Sequence, residues 1–459
     1  MSDQKASHHP NERFHIVLVP GFAGFDALGQ LEYYGGLTTL FKNWLAGNEV
    51  LHYFDNFPTA AVVTRATRLR YYLAKRMARG EISTDDNVIL IGHSTGGLDI
   101  RSLLWDLWDL DHRNQFIMVD GEKVKPKTIL QCVRRVVFLS VPHWGTNIAD
   151  WVQAQWIWRE ALITELRAVV AGSQVLLVDR VESAIAANAA SLTRAALFLA
   201  VQDALDEANE NNGRPGPVRT AEAHEAASEL ALYLRLMASD FRAIEDLTSR
   251  PPRVSKVSEL TGRKPMSPAH FDTSTRKTEL EQLRDIEFRS YVTVGRRPFC
   301  FDPGGSAPPW ELAKPWTYPE ISKDAALSAG TDIVYRTCYR ACAGGPFEPA
   351  KSSSEEAKRL SPQHPIEVWD NDGIVNTLSM FWPKGDNVLV HADHMDIVGQ
   401  YKKLRADAGG GRKYRTYDLL KSDSGFSDKI FSEVWGEIFA FCLGRTHTDQ
   451  TRSASAGGN

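Results

Sequence analysis

The feature that most constrains this chain is a six-residue turn, Gly92-His93-Ser94-Thr95-Gly96-Gly97. It follows directly on a short apolar run, Asn87 to Ile91, and leads into a helical pattern from Gly97 to Asp109. A strand that enters a helix through a single serine must turn a sharp corner. Only small neighbours let the two elements pack that closely, and Gly92 and Gly96 supply the room. The serine is then held in a strained backbone conformation, its hydroxyl above the sheet and near the positive end of the helix. A G-x-S-x-G pentapeptide alone is common. In a strand–turn–helix context it is the nucleophile elbow, and it makes Ser94 the candidate nucleophile.

The rest of the chain reads as an α/β fold built round that turn. Between Phe14 and Asp150, short apolar runs (His15–Val19, Asn87–Ile91, Val133–Val141) alternate with helical stretches at Arg65–Arg79 and Gly97–Asp109. That alternation predicts a mostly parallel sheet with helices on both faces. From Trp151 to Leu283 the texture changes. Apolar residues recur at helical spacing, as in Leu192, Ala195, Ala196 and Leu199, then Leu230, Tyr233, Leu234 and Met237. Residues 151–283 are therefore expected to be a helical insertion, the place of a lid or cap in the resemblance given below, in a core made of 14–150 and 284–445. Further strands are expected at Glu287–Val294 and Asp386–Val390, and helices at Ala325–Ala341 and Asp428–Leu443. Residues 1–13 and 446–459 read as flexible tails.

Composition narrows the partners. The chain has 53 basic and 57 acidic residues among 459, a formal charge of −4, which gives no electrostatic reason to expect nucleic acid. Hydrophobic residues make up 43%, yet no run reaches the roughly 18 apolar residues of a membrane span. Cys132, Cys300, Cys338, Cys342 and Cys442 are an odd set in a large chain and imply no disulfide framework. Met1 to Arg13 contain no apolar core of a signal peptide. The expectation is a cytoplasmic protein, the alternative being a secreted mature form whose leader has been removed.

A serine hydroxyl is a poor nucleophile until a base removes its proton, and in this fold the chain order is serine, acid, histidine. Two histidines stand after the last expected strand, His391 and His394, and two aspartates precede it on one turn, Asp370 and Asp372. Periodicity does not choose within either pair, and D-x-D-G is also ordinary turn chemistry. The oxygen that turns negative during acyl transfer needs two donors. One is the N–H after the nucleophile, on Thr95. The other is expected from the glycine-rich loop Pro20-Gly21-Phe22-Ala23-Gly24, on Phe22.

Several segments, in order, resemble the bacterial true lipases, the Pseudomonas, Burkholderia and Geobacillus triacylglycerol lipases of the α/β-hydrolase superfamily. They are V-L-V-P-G-F-A-G-F with L-E-Y-Y-G-G (Val17 to Gly36), G-H-S-T-G-G-L (Gly92 to Leu98), V-P-H-W-G-T (Val141 to Thr146), N-D-G-I-V-N-T-L-S-M (Asn371 to Met380) and D-H-M-D-I-V-G (Asp393 to Gly399). The resemblance implies Ser94 as nucleophile, Asp372 as acid, His394 as base, and the Phe22 and Thr95 N–H groups as the oxyanion hole. It also implies a helical lid over an acyl cleft, a small-molecule or lipid ester as substrate, and a lipid–water interface as a place of action. No organic cofactor is implied. The family often binds a structural calcium near the histidine loop. Asp396 falls on one carboxylate position, making it the calcium candidate, while Tyr401 stands where a second acid would be. The chain also departs from the family in having Pro20 where members carry histidine before the oxyanion loop, and in its longer middle insertion.

The reading is a serine carboxylic-ester hydrolase. Its rivals are an amidase or thioesterase on the same triad, and a non-enzymatic binding protein of the same fold. Matched ester, amide and thioester substrates separate the first, and a fluorophosphonate probe the second. Trp151, Trp156 and Trp158 suit helix-on-sheet packing or an acyl pocket. Cys338 and Cys342 suit buried thiols, and His143 suits loop packing or substrate contact. Acyl-chain preference and oligomeric state are not encoded in any of these patterns.

Overall fold

The computed structural model describes residues 13–22, 24, 27–28, 31–44, 47–154, 240, 242–250, 267–297, 333–345, 347–401, 418, 420 and 422–445. Its strands in chain order are β1 (Phe14–Val19), β2 (Ala27–Leu28), β3 (Leu31–Glu32), β4 (Glu49–Tyr53), β5 (Asn87–His93), β6 (Ile117–Val119), β7 (Glu122–Val124), β8 (Val133–Leu139), β9 (Glu287–Val294) and β10 (Asp386–His391). Six of them form one sheet in the order β10-β9-β8-β5-β1-β4, and every neighbouring pair is parallel. Two small antiparallel pairs, β2–β3 and β6–β7, lie outside it.

A parallel sheet needs crossover connections, and the helices that make them, beginning with α1 (Leu37–Trp44), cover both faces. Alternation along β1 shows the two layers. Val17 and Val19 join the cluster of Leu69 and Leu73 from helix α2 (Val62–Ala78) and Leu103 and Leu107 from helix α3 (Thr95–His112). Ile16 and Leu18 face the other way, into the cluster of Trp435 and Phe439 from the terminal helix Asp428–Leu443. All six residues of β1 are buried, which is why it reads as a continuous apolar run. The terminal helix has clear stops: the Ser427 hydroxyl accepts the Ile430 N–H at 3.4 Å, and Gly444 closes it in the left-handed region at φ 64°. This is an α/β-hydrolase-type fold.

Expected and observed elements differ where tertiary contacts decide. Strand β8 stops at Leu139 rather than Val141, because Ser140 turns out of the sheet at φ 51°. Strand β4 has no apolar run of its own. It sits at the sheet edge, only His52 of its five residues is buried, and polar residues are tolerated there. The helix expected at 325–341 is described from Ile333 to Ala343, and 325–332 lie outside the described residues. Most of the expected insertion also lies outside them, including the patterns at 192–199 and 230–237, Trp156 and Trp158. So do residues 1–12 and 446–459 and Cys300. The described flanks of the insertion pack on the core. Asp246 accepts the Val62 N–H at 2.7 Å and so caps α2. Glu279 forms a buried bidentate pair with Arg101 at 2.8 and 2.7 Å. Among the described residues, no helix is long and apolar enough to cross a membrane.

Candidate active site

Strand β5 runs through His93 and α3 begins at Thr95, so Ser94 alone makes the corner. Its φ of 53° and ψ of −128° lie outside the regions that L-residues ordinarily occupy, a strain of about 1–3 kcal/mol that the surrounding packing has to hold. The glycine at 92 is sterically required. A Cβ there would lie 2.7 Å from Gly97 Cα, so any larger residue would push helix from strand. Thr95 is the first residue of α3, where N–H groups have no acceptor within the helix.

The loop after β1 lies against this corner. A Cβ on Gly21 would meet Ser94 Cβ at 2.7 Å and the Tyr33 hydroxyl at 2.8 Å. Phe22 follows, half-buried against the core on the α2–α3 side. The loop is pinned by Arg65, whose guanidinium donates to the Pro20 and Gly21 carbonyls at 2.7 and 3.1 Å and to Asp99 at 2.9 Å. With Pro20 in place of histidine, the loop is anchored through its carbonyls.

The histidine and the acid come from neighbouring loops on the same end of the sheet. His394 Nδ1 donates to Asp372 Oδ2 at 2.7 Å, and both residues are almost fully buried. The competitors are placed differently. Asp370 is clamped by Arg297 at 2.8 and 2.9 Å, and His391 is exposed at the end of β10. The His394 ring lies 4.6 Å, centroid to centroid, from that of His93, the residue preceding Ser94. Among the described residues, the Ser94 hydroxyl and His394 are not joined by a hydrogen bond.

His93 occupies a variable position of the pentapeptide, and pattern reasoning passes over it. Its ring is fully buried. The Gly21 N–H donates to the Tyr33 hydroxyl at 3.0 Å, and the Tyr33 O–H in turn donates to His93 Nδ1 at 2.6 Å. His93 Nε2 lies 2.9 Å from the His394 carbonyl, which can only accept, so the proton sits on Nε2. Burial, helped by neighbouring His394, holds the His93 imidazole well below the usual histidine range, and it stays neutral. One side chain thus ties the glycine loop, the elbow and the histidine loop together.

Asp396, the calcium candidate, is engaged by groups of the protein itself. Its Oδ2 accepts the Asp393 N–H at 2.9 Å and the Ser424 hydroxyl at 2.7 Å. Asp393 is likewise engaged by the Met395 and Asp396 N–H groups and by Ser422. Burial pushes both carboxyls up, Asp393 to about 7. Tyr401, where a second acid would stand, donates to Asp428 at 2.5 Å. A hard cation takes roughly six to eight oxygens, and no group of three or more histidines, cysteines or acids among the described residues is arranged to hold a metal.

Other candidates resolve into packing. His143 is buried against Phe138 and Trp382, with ring centroids 4.7 and 4.8 Å away, while its carbonyl accepts from Arg101 and Arg276. Trp151 packs beside Ile148 and Cys338, and Cys132, Cys338, Cys342 and Cys442 are buried.

No family model and no curated protein matches the chain. Among solved structures it is similar to a Staphylococcus hyicus lipase, at 14% identity over 95% of this chain and 97% of that one, with a TM-score of 0.42. It is similar to EstA from Clostridium botulinum at 15% identity, over 92% and 87% of the two chains, with a TM-score of 0.40. It is also similar to lipase 1 from Pelosinus fermentans at 15% identity, over 90% and 98%, with a TM-score of 0.38. What the site can do rests on the residues above.

Proposed function

We propose that the protein is a serine carboxylic-ester hydrolase. The observation that carries this reading is the buried His394–Asp372 pair at 2.7 Å, set at the same end of the sheet as a serine held in a strained elbow. In the proposed reaction, Ser94 Oγ attacks the ester carbonyl and His394 Nε2 takes its proton. Asp372 holds the ring by its Nδ1–H and stabilises the imidazolium. The Phe22 and Thr95 N–H groups receive the negative oxygen of the tetrahedral intermediate. His394 returns the proton to the leaving alcohol, giving an acyl-serine. Water deprotonated by His394 then releases the acid.

The substrate is a small-molecule or lipid ester, and the catalytic chemistry comes from protein groups without an organic cofactor. The test is Ser94→Ala against a short p-nitrophenyl ester. The variant should keep the wild-type unfolding temperature while losing about 10^4-fold or more in kcat, as nucleophile removal does in serine hydrolases. A pure variant that keeps substantial turnover, or a wild-type protein that a fluorophosphonate does not label at Ser94, removes the proposal. Rates on matched amide and thioester substrates decide the leaving group.

A further inference from the structure

The hydrogen bonds of Asp372 account for every lone pair of its carboxylate. Oδ1 accepts the Ile374 and Val375 N–H groups at 3.0 and 2.8 Å. Oδ2 accepts His394 Nδ1–H at 2.7 Å and the Thr293 hydroxyl at 2.6 Å. An ionised carboxylate offers about four acceptor positions, so the set is complete. Three of the donors belong to the acid's own turn or to the histidine. The fourth comes from β9, a different element.

Thr293 has one proton and three neighbours for it: Asp372 Oδ2, Ser140 Oγ at 2.8 Å and Met380 Sδ at 3.2 Å. The carboxylate is the strongest acceptor, so the proton goes there. Ser140 must then donate to Thr293, which orders a chain running Ser140 to Thr293 to Asp372 to His394. Ser140 and Thr293 are both fully buried. Ser140 reaches Thr293 from a left-handed backbone conformation, φ 51°, at the end of β8. A non-glycine residue there carries strain that the surrounding structure must hold, and such outliers cluster at functional sites.

We propose that Thr293, oriented by Ser140, is a positioning residue for the Asp372–His394 pair. The proposal rests on the reading of Ser94, His394 and Asp372 as a triad. With Oδ1 held by two N–H groups, Oδ2 has two lone pairs. Thr293 occupies one, so the imidazole is confined to the other and its ring plane is set. Removing the hydroxyl frees that lone pair. The His394 bond then shortens and swings, and its far nitrogen moves off the line to Ser94. Thr293 touches no substrate, so the loss falls on kcat and leaves KM alone.

The test is steady-state ester hydrolysis by Thr293→Val, Thr293→Ser and Ser140→Ala, with the downfield proton NMR signal of His394 Nδ1–H as the spectroscopic readout. Thr293→Val keeps the shape and lacks the hydroxyl. Its kcat should fall about tenfold, the order of loss for one hydrogen bond to a charged group, with KM within twofold of wild type. Its Nδ1–H resonance should move further downfield. Thr293→Ser should restore both, and Ser140→Ala should move both in the same direction by a smaller amount. Wild-type kcat and an unmoved resonance in Thr293→Val overturn the proposal. So does a loss that Thr293→Ser fails to restore, which would assign Thr293 to packing alone. If Thr293→Val does not fold, Ser140→Ala decides, since an unmoved resonance there overturns the ordered chain. A wild-type protein that neither hydrolyses esters nor reacts with a fluorophosphonate at Ser94 overturns the triad reading instead, and the two failures are distinguished by the unmodified protein alone.

Discussion

The sheet carries a buried histidine–aspartate pair at each end, and only one of them belongs to the candidate site. At the carboxyl ends of the strands, His394 donates to Asp372 at 2.7 Å. Near the amino ends, His15 Nε2 lies 3.2 Å from Asp86, and both residues are buried. The difference lies in the second nitrogen. His15 Nδ1 is taken by His52 Nε2 at 2.9 Å, so that imidazole is wholly spent on structure. His394 Nε2 has no hydrogen-bond partner among the described residues. The backbone around the two pairs differs as well. Parallel strands deliver helix N-termini and loops to their carboxyl ends, where donors for a developing negative charge can gather. A buried His–Asp pair is therefore not a site in itself. An unspent nitrogen at the same end of the sheet as a strained serine makes it a candidate.

The sharpest way to break this comparison is to neutralise each acid in turn. Asp372→Asn should cut kcat by about 10^4-fold, the loss that follows when a triad histidine is held in the wrong tautomer. Asp86→Asn should leave kcat within about twofold and instead lower stability, by about 1–3 kcal/mol for donors left without their acceptor. Steady-state rates with denaturant unfolding separate the two, and an equal loss of kcat in both variants would erase the distinction.

A smaller effect is expected at Tyr33. Its hydroxyl joins Gly21 N–H to His93, so Tyr33→Phe loosens the glycine loop and the histidine loop together. The kcat should fall about tenfold, the loss of roughly one charge-free hydrogen bond network member, with KM little changed. Wild-type kcat in this variant would show that the bridge serves packing alone.

The smallest effect belongs to the amino-end pair and appears only in acid. Burial, with nearby Arg76 and His15, pulls His52 down to about 4 from its ordinary 6.5, and burial lowers His15 in the same direction. Between pH 6.5 and 4 the unfolded chain binds a proton at His52 that the folded protein refuses. Stability is therefore present above pH 6.5 and is lost as pH falls toward 4. Thermal unfolding should show this acid-side fall in the wild type and a shallower one in His52→Gln. Equal slopes would mean that His52 does not carry the loss.

Some of this was legible before any coordinates. Asn87–Ile91 running into Gly92-His93-Ser94 announced the corner, because the steric demand of a strand-to-helix turn is met by residues adjacent in the chain. Glu287–Val294 and Asp428–Leu443 were likewise readable to the residue from their apolar residues. Strand β4 was not, because an edge strand is held by its neighbour and needs no pattern of its own.

The choice within each pair of candidates belonged to tertiary structure. Asp370 and Asp372 are two residues apart on one turn, and local chemistry treats them alike. Arg297 claims the first and His394 the second. The Tyr33–His93–His394 tie spans 301 positions between its last two members, and the Ser140–Thr293 contact spans 153. Local sequence determined where the chain must turn, since that depends on backbone sterics between neighbours. Which buried groups share a proton depends on distances across packed layers, and only the assembled sheet decided those.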